Sequence, residues 1–103
     1  MPADIYANLI DGKWIASSSG RLFDNRNPAD QDDLIGMFQE STPDDAERAI
    51  AAAGRAYASW RLVPAPRRAE MLFRAAQLIA ERKEQFARDM TREMGKVLEE
   101  TRG

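Results

Sequence analysis

The side chains in this sequence that could do chemistry are limited in kind. Neither cysteine nor histidine occurs in its 103 residues, which removes thiolate nucleophiles, Ser-His and Cys-His pairs, disulfides and the usual zinc ligands. Carboxylates, Lys, Arg, Ser, Thr and Tyr remain. They suffice for weak acid-base work, but they are not clustered along the chain as an active site requires. Gly12-Lys13 and Gly95-Lys96 invite a phosphate-loop reading. That loop needs a glycine five residues before the Gly-Lys pair and a Ser or Thr after it; around Gly95-Lys96 those places hold Met90 and Val97. No G-x-G-x-x-G occurs either. Arg67-Arg68 could hold an anion at a helix start, where backbone N–H groups converge, although a solvated face or a pairing with a nearby acid is the simpler reading. Asp44-Asp45 is better read as a helix cap than as a metal site. The residues therefore assign no catalytic, cofactor-binding or metal-ligating side chain, and a self-sufficient enzyme is not expected.

Bulk properties narrow the field further. A chain of this length makes one domain at most, with a modest core. Fifteen Lys and Arg face 17 Asp and Glu, a net charge of −2, which offers no basic field to hold a phosphate backbone and argues against nucleic acid. The first 20 residues lack a basic start followed by an apolar segment, and no stretch nears the length of a membrane span. A soluble, cytoplasmic setting is expected, without a membrane partner.

The elements that must position these groups change kind partway along. Residues 1–40 are rich in Gly, Asn, Asp and Ser with aromatic and branched residues between them, whereas 43–103 are rich in Ala, Glu, Arg, Leu and Met. The change predicts an α/β arrangement: an N-terminal β-hairpin and short strands, followed by two to three amphipathic helices. Ala7–Ile10 and Lys13–Ala16 flank Asp11-Gly12, a pair that tolerates positive φ and favours a two-residue hairpin turn. Ser17 to Gly20 reads as a polar loop, and Arg21–Asn25 as another strand. Asn27-Pro28-Ala29-Asp30 reads as a turn leading to a strand over Asp33–Phe38, up to four strands in all.

Helices are predicted over 43–61, 65–82 and 84–103. The first opens with Thr42 as N-cap, Pro43 at N1 and Asp44-Asp45 against the helix dipole. Its stripe of Ala46, Ala49, Ile50, Ala53, Tyr57 and Trp60 forms one face, with Trp60 read as an aromatic anchor in the core. Pro64 and Pro66 separate the second helix, whose stripe is Ala69, Leu72, Ala76 and Ile79. The third carries Phe86, Met90, Met94, Val97 and Leu98, with Gly95 as a break or C-cap before a last turn. The chain reaches Gly103 still in helical composition, so it is expected to be interrupted rather than finished, and its short strands lack a covering layer.

Taken in order, these features resemble the opening stretch of the aldehyde dehydrogenase superfamily. Gly12-Lys13-Trp14 is similar to that family's first hairpin and Asn27-Pro28-Ala29 to its Asn-Pro turn. Thr42-x-x-Asp45 with Ala49, Ala52-Ala53 and Trp60 is similar to its first helix, Pro66-x-Arg68 with Leu72 to its second, and Glu93-x-Gly95-Lys96 to its Glu-x-Gly-Lys signature. The wording of Val63–Arg68 and Glu93–Lys96 is nearest the semialdehyde-oxidising branches, including the aminoadipic semialdehyde group.

The resemblance implies an incomplete part of a cofactor-binding domain, residues 1–103 forming a truncated N-terminal segment. It also implies NAD or NADP, and a homo-oligomer, for the full-length enzyme. There an aldehyde adds to a catalytic cysteine, hydride passes to the nicotinamide, and a glutamate-activated water releases the acid. The cysteine, the glutamate and the glycine-rich cofactor loop lie beyond the matched region, so this chain alone is expected to bind no cofactor and to be inactive. Its expected partner is the remainder of the fold. Backbone carbonyls of Asn25 and Arg26 correspond to a monovalent-cation position in some relatives, but no side-chain signature supports assigning them. The alternative function is a short interaction module that docks on a full-length relative.

Overall fold

The structure, a computed structural model, describes residues 3–103. Five strands come first: β1 (Ile5–Tyr6), β2 (Asn8–Ile10), β3 (Lys13–Ile15), β4 (Leu22–Asn27) and β5 (Asp30–Gln39). The helices α1 (Pro43–Trp60), α2 (Ala65–Glu81), α3 (Lys83–Met94) and α4 (Leu98–Thr101) follow. The α/β order expected from composition is the one observed. The chain forms two compact units, one of residues 1–25 and 34–62, the other of 26–33 and 63–103.

In the first unit, β2 and β3 pair antiparallel with Asn8 opposite Ile15 and Ile10 opposite Lys13. Asp11 and Gly12 link them with φ of 54° and 72°, the two positive values that a tight hairpin turn of matching twist needs. A second sheet has the order β1-β5-β4. Its β1 is a fifth strand that the sequence does not announce, since two residues carry no period. It exists because it pairs parallel to β5, Ile5 opposite Met37 and Tyr6 opposite Phe38. Gly36 permits the approach: a Cβ there would stand 2.5 Å from Tyr6 Cε2 and 3.2 Å from the Asp4 carbonyl oxygen. Tyr6 and Phe23 both stack on Phe38, with ring centroids 4.9 and 6.0 Å away.

Strand β5 is longer than the predicted Asp33–Phe38, starting at Asp30, and β4 reaches Asn27. The four-residue turn thereby shrinks to Pro28-Ala29. Cross-strand pairing prolongs the ladder through Asp30-Gln31-Asp32, residues whose own β preference is poor.

Helix α1 lies against β2, with Ala49, Ala52 and Ala53 lining a depression shared with Leu9 and Ile10. Its covered side is therefore centred on Asp45 and Ala52, rotated from the predicted stripe, while Ile50 and Tyr57 are exposed. Small residues win this face because they let the hairpin backbone come close. Trp60 is 39% exposed and anchors no core, which corrects its reading above.

In the second unit the stretch 84–103 is two helices. Gly95 ends α3 with φ of 78°, a left-handed cap that favours glycine, and Val97 starts α4. The helix α4 packs on α3. The only buried apolar side chains among the described residues are Ala52 and Ala87, one in each unit. Among the described residues no helix is long and apolar enough to cross a membrane.

Candidate functional site

Two polar assemblies stand out, one in each unit. The first grows from the start of α1. Thr42 has extended backbone and cannot donate within the helix, so the helix needs outside acceptors for its first N–H groups. Thr42 Oγ1 accepts from the Asp45 N–H at 3.2 Å, and the Asp45 carboxylate accepts from the Thr42 N–H at 2.9 Å. In this reciprocal capping box, Asp45 supplies the cap that the sequence predicts at Asp44-Asp45.

Asp45 also reaches back to the loop after β3. It accepts from Ser17 Oγ at 3.0 Å and from the Ser18 N–H at 3.2 Å, and it pairs with Arg48. The residue is only 3% exposed. The Thr42 N–H, ahead of the serine donors and Arg48, holds its carboxyl far below the usual carboxylate range, because each donor favours the charged form. Ser17 in turn donates through its N–H to Gln39 Oε1 at 2.8 Å. The carboxylate thus ties the polar loop, the end of β5 and the first turn of α1 together.

The second assembly brings together two stretches far apart in sequence. Arg92 on α3 meets Asp33 on β5 through two parallel bonds, Nε to Oδ2 at 3.0 Å and Nη2 to Oδ1 at 2.5 Å. Asn27 Nδ2 adds a third at 3.2 Å. Arg92 first, then Asn27, lowers the Asp33 pKa to about 2. Beside it, a Cβ on Gly95 would stand 3.1 Å from Pro28 Cγ. The Asn-Pro turn and the Glu-x-Gly-Lys stretch, 67 positions apart by residue number, therefore meet at Pro28 and Gly95. Asn27 Oδ1 accepts from the Ala29 N–H at 3.0 Å, which holds the turn. Farther along, Arg102 grips Glu84 with bonds of 3.0 and 2.8 Å and lowers that carboxyl's pKa, fastening α4 to α3.

The residues singled out for chemistry do not converge. Gly12 and Lys13 are in the first hairpin. Lys96 pairs with Glu100 at 3.7 Å, and Arg67 with Glu70 at 3.6 Å. Arg68 Nε is buried without a hydrogen-bond partner, the side chain standing on the first turn of α2. Asn25 and Arg26 lie in β4, where Arg26 donates to the Gln31 carbonyl at 3.0 Å. Asp44 lines an open depression of about 550 Å³ with Ser18, Glu47, Arg48 and Ala51. Among the described residues no group of three or more acids could hold a metal ion. The assemblies can cap, clamp and orient. Sequence reasoning missed Asp33, Arg92, Ser17 and Arg102; Thr42-x-x-Asp45 alone carried a local signal, the spacing of a capping box.

Residues 14–103 match the aldehyde dehydrogenase family. The chain is 42% identical over 98 residues to an alpha-ketoglutaric semialdehyde dehydrogenase of Bacillus subtilis, covering 95% of this chain and 20% of that protein. It is 43% identical over 96 residues to malonate-semialdehyde dehydrogenase 2 of Geobacillus thermodenitrificans, covering 93% and 20%. Among solved structures it is similar to an NAD-dependent aldehyde dehydrogenase from Sinorhizobium meliloti, with a TM-score of 0.91 and 31% identity over 98% of this chain and 20% of that one. The chain spans about a fifth of the length of the curated relatives it matches.

Proposed function

Because the chain belongs to the aldehyde dehydrogenase family, we propose that it is the N-terminal portion of a cytoplasmic, homo-oligomeric enzyme that oxidises a semialdehyde to a carboxylic acid with NAD or NADP. The supporting observation is the 42% identity with a semialdehyde dehydrogenase over 95% of the chain. The nicotinamide cofactor is named for the Sinorhizobium meliloti neighbour. It would supply the hydride acceptor for the oxidation.

The residues present do not fit that cofactor. A dinucleotide's pyrophosphate is held where a strand passes through a glycine-rich loop into a helix N-terminus. Here the positive-φ glycines are Gly12 between β2 and β3, Gly20 between β3 and β4, and Gly95 between α3 and α4. None joins a strand to a helix. Together with the missing cysteine, this supports the reading that cofactor capture and acyl transfer belong to residues other than these. Its own part in this reading is structural: within the first unit the Asp45 assembly holds the serine loop and the end of β5 to α1, and within the second the Asp33–Arg92 pair holds α3 to the start of β5.

A graft tests this reading. The segment of the Bacillus subtilis enzyme that this chain matches is replaced by the chain itself, and NAD(P)-dependent oxidation of alpha-ketoglutaric semialdehyde is measured. Retained turnover is expected. A folded, soluble graft with no turnover would count against the reading, as would aldehyde oxidation by the purified chain alone.

A further inference from the structure

Asp11 is the only aspartate or asparagine of the chain that precedes a glycine. The order matters chemically, because a glycine next in sequence puts no side chain in the way of its own amide nitrogen as that nitrogen approaches the acid's Cγ. The fold then sets this pair where little holds it. Asp11 and Gly12 are the two turn residues of the β2–β3 hairpin, whose ladder closes at Ile10 opposite Lys13, so neither takes part in the strand pairing. Both are exposed. Among the described residues no hydrogen bond or ion pair engages the Asp11 carboxylate, whereas Asp45 and Asp33 are gripped by their donors.

Asp11 is also the one non-glycine residue with positive φ among the described residues, at 54°. That region is costly for a residue with a Cβ, so leaving it releases strain. A Cβ built on Gly12 would meet nothing within 4 Å; the turn therefore stands in open space where it can rearrange and water can enter. Exposed turns of this kind open locally while the rest of the fold stays intact.

We propose that Asp11-Gly12 is a site of spontaneous backbone modification, at which aspartate converts to isoaspartate in the folded chain. The Gly12 nitrogen attacks Cγ of the protonated Asp11 carboxyl. A C–N bond forms, the Cγ–OH bond breaks, and the hydroxyl leaves as water with the proton of the Gly12 N–H. The succinimide ring then takes up one water. Opening at Cγ restores aspartate; opening at the Asp11 main-chain carbonyl carbon yields isoaspartate, with the backbone now running through Cβ and Cγ. No oxidant or reductant takes part. The product lengthens the main chain by one atom, and a two-residue turn sets the register of its hairpin by its length, so the Ile10–Lys13 closure is disturbed. Leu9 and Ile10 line a depression with Ala49, Ala52 and Ala53 of α1, which carries the effect to helix packing within the first unit. This chemistry does not depend on the function proposed above.

The test keeps the purified chain at neutral pH and physiological temperature for several weeks, in buffer and in parallel in urea, and then digests it with trypsin. In buffer the peptide ending at Lys13 is expected to split into two forms of equal mass, distinguished by electron-transfer fragmentation, with a minor species lighter by one water. Peptides carrying the other acids should stay single. Asp11→Asn keeps a turn of the same type and should speed the conversion several-fold, because ammonia replaces water as the leaving group. Asp11→Glu, whose ring would be six-membered, should abolish it. Absence of isoaspartate in buffer overturns the proposal, and if the urea sample converts, the folded turn is what protects the pair. Conversion no faster at Asp11 than at other acids, or undiminished in Asp11→Glu, overturns it too. The isolated isoaspartyl form should melt below the parent chain; an identical melt removes the effect on the hairpin.

Discussion

The start of α1 and the flank of α2 solve opposite problems. At α1 the Asp45 N–H is met by Thr42 Oγ1 and the Ala46 N–H by the Thr42 carbonyl, and the buried Asp45 carboxylate accepts in turn from the Thr42 N–H and from the serine loop up to 28 residues away. At α2 the cap is Pro64 with no side-chain hydrogen bond, and the helix buries none of its residues. The contrast shows that at the start of α1 polar groups are met by partners nearby in sequence, while apolar burial on α2 is deferred. Hydrogen bonds are directional and short, so neighbours in sequence can supply them. Covering a helix face takes a whole layer.

The largest expected effect comes from breaking the self-contained end. Asp45→Ala strands the Thr42 and Ser18 N–H groups together, leaving the Ser17 hydroxyl its bond to the Glu40 carbonyl, and buried donors left unpaired carry the full desolvation penalty. A thermal melt of the first unit should show the greatest loss of any single substitution here; a melt unchanged from the parent would mean that the carboxylate only decorates the turn.

Gly95→Ala comes next. It forces a side chain into the left-handed region, at about 1–2 kcal/mol, and presses a Cβ to 3.1 Å from Pro28. Denaturant unfolding should register a loss of at least that size, and a neutral result would mean that the Asn-Pro turn gives way freely.

Acid titration compares the two carboxylate assemblies directly. Both Asp33 and Asp45 have folded pKa values below their unfolded ones, so each contributes stability that is fully present above pH 3.8 and is lost as pH falls through the folded value. Asp33 should titrate at about 2 by carboxyl NMR, with Asp45 lower still. Finding Asp45 protonated before Asp33 would reverse the ranking of the two assemblies. The smallest effect is expected on the open flank, where Leu72→Ser should change the stability of the free chain by no more than about 0.5 kcal/mol. A larger loss would show that the flank is already packed.

Much of the fold could be read directly. Asp11-Gly12 marked its turn because few other pairs accept two positive φ values, and Thr42-Pro43 and Gly95 marked helix ends for equally local reasons. The break at Gly95 is legible too, although a composition that stays helical across 84–103 predicts one helix there, where the structure has two. The candidate site was far less legible. Asp33 and Arg92 lie 59 residues apart, and nothing in either neighbourhood distinguishes them from the other acids and arginines of a chain that is 31% charged.

By itself the sequence determined the α/β order, the turns and caps, the family resemblance and the absence of any thiol chemistry. All of these depend on residue type or on spacings shorter than a turn or two of helix. Only the tertiary structure decided that Tyr6 pairs beside Gly36, that α1 covers its alanine side rather than the side of Ile50 and Tyr57, that Pro28 meets Gly95, and that α2 is left bare. Each of those outcomes depends on which surfaces approach closely enough to exclude water, a property of packed pairs that no single segment carries.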